Sequence, residues 1–105
     1  MRRPDLTCLV MMPFDPAFDD VYAVIRTAVV EGAGDVGAAC QRLDEMKRPG
    51  RISEELVEAL EVTDLCVADL TGGNPNVMWE VGYAMALEKP IVFISQGVEA
   101  LPFDL

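Results

Sequence analysis

Histidine is absent from the 105-residue sequence. This absence excludes Ser-His-Asp triads, Cys-His dyads and histidine-ligated metal sites within the chain, and we predict no metal site. Acid-base or nucleophilic chemistry must then be carried out by Asp, Glu, Cys or Tyr side chains. The chain contains eighteen Asp and Glu, three Cys and two Tyr residues.

Cysteine is scarce, and its three residues form no C-x-x-C pair. Cys8, Cys40 and Cys66 all lie in apolar segments that are typical of strands. We interpret them as small buried hydrophobic residues in a reducing compartment. A catalytic thiol is the less favoured interpretation, because reactive cysteines need a polar, electropositive setting.

Basic residues are also few. Eight Lys and Arg stand against eighteen Asp and Glu, which gives a net charge of -10. A general nucleic-acid-binding surface needs clustered Lys and Arg to neutralise phosphates, so we expect no nucleic-acid partner. No apolar stretch is long enough to span a bilayer, and no small-residue cleavage site follows the apolar run near the N-terminus. We therefore predict a cytoplasmic protein without a membrane partner.

Apolar residues make up 51% of the chain, which is enough for a packed core, and 105 residues fit one domain. Strand-like and helix-like patterns alternate. Strands are predicted at residues 6–12, 36–42, 65–68 and 91–95, and helices are predicted after the capping residues Asp15, Ser53 and Asn74, the first stopped by Gly32 and Gly34. This alternation predicts a flavodoxin-like α/β three-layer sandwich with a parallel sheet in the order 2-1-3-4.

The end of the chain, residues 101–105, looks like the approach to a further strand. We therefore expect residues 1–105 to be a single domain that lacks its last strand, or whose open edge a partner covers.

Polar residues follow each predicted strand. Because parallel strands present their carboxyl ends at one edge of the sheet, these residues should share one crevice. The candidates at this edge are Met12, Pro13, Phe14, Asp15, Arg42, Asp44, Glu45, Asp69, Thr71, Gly72, Gly73, Ser95, Gln96 and Gly97. Carboxylates, one arginine and glycine-rich backbone suit a ribosyl group, with a phosphate near a helix N-terminus.

The third helix should contribute a further carboxylate to this crevice. Asn74 is its expected cap, with Pro75 at the first helical position. Asn76, Glu80 and Tyr83 then lie near one line along the helix. The positive helix end favours an ionised Glu80, and such a carboxylate can attack a sugar C1′ or stabilise an oxocarbenium-like transition state.

Each candidate also has a purely structural interpretation. Asn74 and Asn76 would then only cap a helix, and Glu80 would be a solvated helix residue. Asp69 would bond only the amides of its turn, and Tyr83 would be a core or rim aromatic residue. The remaining candidates would be packing or surface residues.

Several segments resemble the nucleoside 2-deoxyribosyltransferase-like superfamily, which is related to TIR-like domains. The similar stretches are DLCVADLTG at 64–72, NPNV at 74–77 and WEVGYAMALEKP at 79–90. VMMPF at 10–14 and RLDE at 42–45 are similar to bacterial TIR-like members. The similarity covers nearly the whole chain, and the part from Asp69 to Pro90 is the most specific.

The resemblance implies a flavodoxin-like fold and chemistry at an N-glycosidic bond. In deoxyribosyltransferases the glutamate of the E-x-G-Y-A segment, which falls on Glu80, attacks C1′, releases the base and forms a covalent glycosyl-enzyme. In TIR enzymes a glutamate of the corresponding helix supports cleavage of the nicotinamide-ribose bond of NAD⁺. Asn74 stands where deoxyribosyltransferases often carry an aspartate, and the asparagine-rich loop is closer to the TIR-like group.

The leading hypothesis is therefore cleavage or transfer at the N-glycosidic bond of a deoxynucleoside or an NAD-type nucleotide, with no bound cofactor. Glu80 and Asp69 are the predicted catalytic residues. The predicted substrate contacts are Met12, Pro13, Phe14, Arg42, Asp44, Thr71, Gly72, Asn74, Asn76 and Tyr83. Among them, Asp44 is expected to bond ribose hydroxyls and Arg42 to meet a phosphate. The resemblance also implies a homo-oligomer or a larger assembly.

Two alternatives stay open. The first is a non-catalytic nucleotide-binding or assembly module of a larger signalling or defence protein. The second is a phosphoacceptor receiver domain, because Asp69 ends a strand and Thr71 is nearby. Receivers need an acidic pair after the first strand and a lysine after a later one. Here only Asp15 follows the first strand, and Lys89 precedes its strand.

Overall fold

The computed structural model describes residues 6–13, 15–43 and 54–96, which form a four-stranded parallel sheet with three α-helices. The strands are β1 Leu6–Met11, β2 Ala38–Arg42, β3 Leu65–Asp69 and β4 Ile91–Ile94. The helices are α1 Asp19–Ala33, α2 Glu54–Val62 and α3 Pro75–Ala86. The strand order β2-β1-β3-β4 confirms the predicted three-layer α/β fold. The predicted cap Ser53 and the predicted approach to a further strand lie outside the described residues.

Both faces of the sheet are covered, as the continuous apolar run of β1 predicts. On one face Cys8, Val10 and Met12 pack with Val67 under the apolar stripe of α1. That stripe consists of Val21, Tyr22, Ile25 and Val29, and Phe18 of the preceding 3-10 turn packs beside it. On the other face Leu9 and Met11 belong to a larger cluster under α2 and α3. The helices contribute to that cluster the buried residues Leu56, Leu60, Val77, Val81 and Ala84.

The first helix begins as predicted at Asp15, although its first turn, Pro16–Phe18, is a 3-10 helix. Asp15 Oδ1 accepts a hydrogen bond of 2.9 Å from the backbone N–H of Ala17. The expectation that Gly32 helps to stop this helix is wrong, because the helix continues to Ala33 and ends at Gly34. Gly34 has a φ of 57°, in the left-handed region that glycine adopts without strain.

Strand β2 is shorter than predicted, since residues 36 and 37 are not part of it. Gly34–Val36 form a 3-10 turn, and Gly37 follows with a φ of 82°. Three small residues, Gly37, Ala38 and Ala39, have weak strand propensity, so pairing with β1 rather than local preference sets the start of β2.

Two of the three cysteines are buried, as expected. Burial is the main cause that raises the pKa of the Cys8 thiol to about 12 and that of the Cys66 thiol to about 11. Both thiols therefore stay protonated at neutral pH and behave as small apolar residues. Cys40, in the edge strand β2, is only half-buried, so the prediction for this residue is correct only in part.

Side-chain hydrogen bonds connect the strands at the amino-terminal edge of the sheet. Asp64 Oδ2 accepts hydrogen bonds from the backbone N–H of Thr7 at 2.9 Å and from its hydroxyl at 3.2 Å. Lys89 Nζ donates to the carbonyl oxygens of Glu61 at 2.7 Å and Thr63 at 2.9 Å. These bonds join the starts of β1, β3 and β4 to the end of α2. None of the helices in the described residues combines the length and apolarity that crossing a membrane requires.

Candidate active site

Asp69 is the last residue of β3 and is completely buried at the carboxyl edge of the sheet. Its Oδ1 accepts a hydrogen bond of 2.9 Å from the backbone N–H of Thr71. Its Oδ2 accepts a bond of 2.9 Å from the side-chain amide of Gln96. Asp69 thus bonds a turn amide, as the structural interpretation predicted, and also a side chain that follows the neighbouring strand. Both oxygens are fixed in orientation.

The backbone of Gln96 also connects the residues at the carboxyl edge of the sheet. Its N–H donates to the hydroxyl of Thr71 at 2.8 Å. Two side-chain bonds therefore join the ends of β3 and β4, and the bond from Thr71 to Asp69 closes a ring of Asp69, Thr71 and Gln96. The sequence placed Gln96 at this edge, but no spacing rule pairs the ends of neighbouring parallel strands, so its contact with Asp69 was not predicted.

Replacing Gln96 with alanine is expected to lower the free energy of unfolding by about 1–2 kcal/mol, because a buried carboxylate loses a hydrogen-bond donor. The backbone bond to Thr71 is retained in this variant. Urea denaturation followed by circular dichroism measures the change. Gln41→Ala, at an exposed glutamine of β2, is the control and should change stability little. Equal stability of the two variants would show that the bond to Asp69 contributes nothing.

The loop between β3 and α3 turns through two glycines. Gly72 and Gly73 have φ values of 78° and 60°, where a residue with a Cβ is strained. Asn74 then caps α3, as predicted: its Oδ1 accepts bonds from the N–H groups of Asn76 at 2.9 Å and Val77 at 3.3 Å. Pro75 takes the first helical position. The cap explains the local role of Asn74, and its contact with a substrate stays a prediction.

Glu80 is buried, with only 1% of its surface exposed, on the inner face of α3. The interpretation of Glu80 as a solvated helix residue is therefore wrong. It is the only charged residue of α3, and its buried neighbours along the helix are Val77, Val81 and Ala84. Burying a carboxylate costs free energy unless polar partners compensate it, and buried ionisable groups cluster at functional sites, so Glu80 stays a candidate site residue.

The aromatic residues of α3 contact each other. The rings of Trp79 and Tyr83, one helical turn apart, are stacked with centroids 5.7 Å apart and an interplanar angle of 2°. Tyr83 also packs against the core cluster, whereas Trp79 is 37% exposed. Asn76 is exposed. The three residues predicted to lie on one line therefore differ in burial: Asn76 is exposed, Tyr83 is half-buried and Glu80 is buried.

Arg42 ends β2 and lies on the side of the sheet that α1 covers. Its guanidinium donates to Asp19 Oδ1 at 2.8 Å and to the carbonyl oxygens of Pro13 at 2.7 Å and Asp15 at 3.4 Å. Its Cζ atom also lies 5.7 Å from the centroid of the Tyr22 ring. Arg42 thus binds the connection between β1 and α1, and its contact with a phosphate stays a prediction.

The remaining predicted residues are distributed as follows. Met12 is 1% exposed within the cluster under α1, and Pro13 is half-buried. Phe14 and Asp44 lie outside the described residues. Among the described residues, the structure brings three pairs of predicted site residues into direct contact, namely Asp69 with Thr71, Arg42 with Pro13, and Asn74 with Asn76. Within the described ranges, no group of three Asp, Glu or Cys side chains is placed to hold a metal ion.

Comparison with known proteins identifies the fold. No family model matches the sequence, and no curated protein matches it. Eight chains of solved structures do match. One is a 2-desoxiribosyltransferase from Leishmania mexicana, with a TM-score of 0.65 and 19% sequence identity, over 88% of this chain and 65% of that one. This chain thus matches slightly less than two thirds of that protein's length, and what the two share is the fold.

Proposed function

We propose that this protein cleaves or transfers at the N-glycosidic bond of a nucleoside or nucleotide, with Glu80 as the catalytic carboxylate. The observation that carries the proposal is the burial of Glu80, at 1% exposure, on α3, the helix that follows the Asp69–Thr71 turn after three loop residues. Buried ionisable groups beside the carboxyl ends of parallel strands are frequent in ligand sites of α/β folds. The fold shared with a 2-desoxiribosyltransferase supports the same reaction class.

The chemistry needs one nucleophilic oxygen and one leaving base. A Glu80 oxygen forms a bond to C1′ of the sugar while the bond between C1′ and the base nitrogen breaks. The electron pair of the broken bond leaves with the base. Water or a second base then takes the sugar from Glu80. The position of Glu80 in the second turn of α3 brings the positive end of the helix dipole close to the carboxylate.

Asp69 suits an orienting role better than a nucleophilic one in this proposal. Both of its oxygens already accept hydrogen bonds, from Thr71 and Gln96. A carboxylate held in this way can direct a ribose hydroxyl or the Glu80 side chain, but it is less free to attack carbon. Thr71, Gly72 and Asn76 lie between these two carboxylates in the sequence and are the proposed contacts to the sugar.

The same burial of Glu80 also supports a second candidate, a nucleotide-binding or assembly module without catalysis. At 1% exposure the carboxylate offers a substrate almost no accessible surface. Catalysis therefore requires the side chains or the loop around Glu80 to move when substrate binds. A module that only binds nucleotides has no such requirement.

Product analysis separates the two candidates. The protein is incubated with NAD⁺ and, separately, with a panel of deoxynucleosides, and the products are followed by chromatography. Free nicotinamide would indicate an NAD⁺-cleaving enzyme of the TIR-like kind. Free base or base exchange would indicate deoxyribosyl hydrolysis or transfer. Absence of any product from protein that is folded by circular dichroism would contradict catalysis and favour the binding module.

A further inference from the structure

Cys8 and Cys40 lie side by side on the neighbouring strands β1 and β2. The two residues are register partners in this parallel pair. Their side chains lie on the same face of the sheet, because both pack in the cluster under α1. A side-chain hydrogen bond joins the two thiols, and neither is part of a disulfide. Two oxidisable sulfur atoms are therefore in contact within one apolar cluster.

The spacing of the two strands allows a bond between these sulfur atoms. Neighbouring strands lie about 4.8 Å apart, and the Cα atoms of disulfide-bonded cysteines lie about 4.4–6.8 Å apart. The hydroxyl of Tyr22 donates a hydrogen bond of 3.4 Å to the carbonyl oxygen of Cys40, so α1 holds this part of β2 in place. We propose that Cys8 and Cys40 form a redox-active dithiol, which a hydroperoxide oxidises to an intramolecular disulfide.

The two cysteines differ in access and therefore in role. Cys8 is 2% exposed, and burial is the main cause that raises the pKa of its thiol to about 12. Such a thiol is a poor first nucleophile, because the thiolate is the reactive form. Cys40 is half-buried in the edge strand β2 and is the more accessible residue for a small oxidant. Cys40 thus reacts with the peroxide, and Cys8 reacts with the oxidised Cys40.

The oxidation takes place in two balanced steps. The Cys40 sulfur attacks one oxygen of hydrogen peroxide, the O–O bond breaks, and the second oxygen takes the thiol proton and leaves as water. Cys40 is then a sulfenic acid. The Cys8 sulfur attacks the Cys40 sulfur, the S–O bond breaks, and the hydroxyl group leaves as water with the proton of Cys8. Each sulfur gives up one electron, and the peroxide accepts both.

Contact between the sulfur atoms favours the second step despite the raised pKa of Cys8. The sulfenic acid and the thiol belong to one chain and already touch, so the step is intramolecular and needs no diffusion. A second molecule of peroxide would have to enter the cluster under α1 to oxidise Cys40 further. The disulfide is therefore the expected product, and higher oxidation states of Cys40 are not.

Cys66 is an internal control. It is completely buried on the opposite face of the sheet, in the cluster under α2 and α3. Burial also raises the pKa of its thiol to about 11. Side chains on opposite faces of a sheet do not meet, so Cys66 cannot pair with Cys8 or Cys40 in the folded chain. Oxidation should therefore consume two of the three thiols.

The disulfide joins the edge strand β2 covalently to β1, which lies inside the sheet. In a reducing compartment such bonds are typically transient, and thiol reductants reverse them. We expect dithiothreitol to restore all three thiols of the oxidised protein. This inference is independent of the proposed enzymatic function.

The test uses the 105-residue chain and two matched variants, Cys40→Ala and Cys66→Ala. Each variant loses one thiol and retains the other two. The reduced proteins are treated with excess hydrogen peroxide, the reaction is stopped, and the remaining free thiols are titrated in urea. Digestion without reductant, followed by mass spectrometry, identifies the peptides that a disulfide links.

We expect the wild type and Cys66→Ala to lose two thiols and to yield peptides linked through Cys8 and Cys40. Cys40→Ala should lose its thiols at least about tenfold more slowly. A third variant, Cys8→Ala, should accumulate the sulfenic acid of Cys40, which dimedone traps. Circular dichroism shows whether each variant is folded, and the linked peptides of the wild type decide the pairing by themselves.

A wild type that retains three free thiols would overturn the inference, as would a disulfide between two copies of Cys40 that leaves Cys8 free. Oxidation of Cys40→Ala at the rate of the wild type would also contradict it, because Cys40 would then not be the residue that reacts with peroxide. A linked peptide that contains Cys66 would mean that the sheet had opened before oxidation, which is incompatible with a dithiol formed by the folded strands.

Discussion

Replacing Glu80 with glutamine is expected to lower the release of base by at least about 10³-fold while the fold is retained. Glutamine has nearly the same shape and volume as glutamate, so the buried position on α3 can accept it without a cavity. It cannot form the glycosyl-enzyme, because an amide oxygen is a poor nucleophile and carries no negative charge. The loss should appear in kcat more than in KM, since the carboxylate acts on the transition state.

The control for this variant is Glu58→Gln, which makes the same change at an exposed position of α2. It should leave activity and stability almost unchanged. Full activity in Glu80→Gln would show that another group performs the chemistry, and the proposed mechanism would fail. Unfolding of Glu80→Gln would leave activity uninterpretable, so Glu80→Asp is a second variant, which retains a carboxylate but shortens its reach. Partial activity in Glu80→Asp supports the mechanism, and activity equal to wild type argues against it.

Replacing Arg42 with methionine is expected to lower the free energy of unfolding by about 2–4 kcal/mol. The guanidinium is almost buried and donates to the carbonyl oxygens of Pro13 and Asp15 as well as to Asp19. The Asp19 carboxylate is largely exposed, so the ion pair contributes less than the bonds to the carbonyl groups. Methionine keeps the apolar stem, so the loss measures these polar contacts. Urea denaturation gives the value.

Arg26→Met, at an exposed arginine of α1, removes the same charge and should change stability by less than about 0.5 kcal/mol. Comparing the Arg42→Met and Arg26→Met variants also tests the predicted phosphate contact of Arg42. A rise in KM for phosphate-bearing substrates, with unchanged stability, would mean that Arg42 binds substrate and that its contacts with the β1–α1 connection are weak. A loss of stability with unchanged KM would identify Arg42 as a residue of the scaffold.

The fold could be predicted because its signals are local and agree with one another. The apolar run of β1, the cap and proline at Asn74-Pro75 and the alternation of strand and helix patterns each point to a parallel α/β sheet. The order 2-1-3-4 followed from the handedness and proximity of βαβ units. Boundaries were less certain where residues are small: β2 starts at Ala38, two residues later than predicted.

The candidate site could be predicted only in part, because its contacts depend on what neighbouring strands bring together. The sequence placed Asp69 and Gln96 at the same edge, but the bond between them depends on the register of β3 and β4. The burial of Glu80 could not be predicted from the sequence either, since a single glutamate on a helix is usually exposed. The sequence analysis predicted only a phosphate contact for Arg42, and the structure shows its bonds to the β1–α1 connection.

The bonds of Lys89 and Asp64 lie at the edge of the sheet opposite to the candidate site. They join strands and helix without using any residue of the loops that follow β1 and β3. Those loops can therefore change in length or composition over evolution without loss of the bonds at the amino-terminal edge. Ligand specificity and thermodynamic stability can then change independently of each other. Relatives with this scaffold can acquire different substrates while they keep the bonds at the amino-terminal edge.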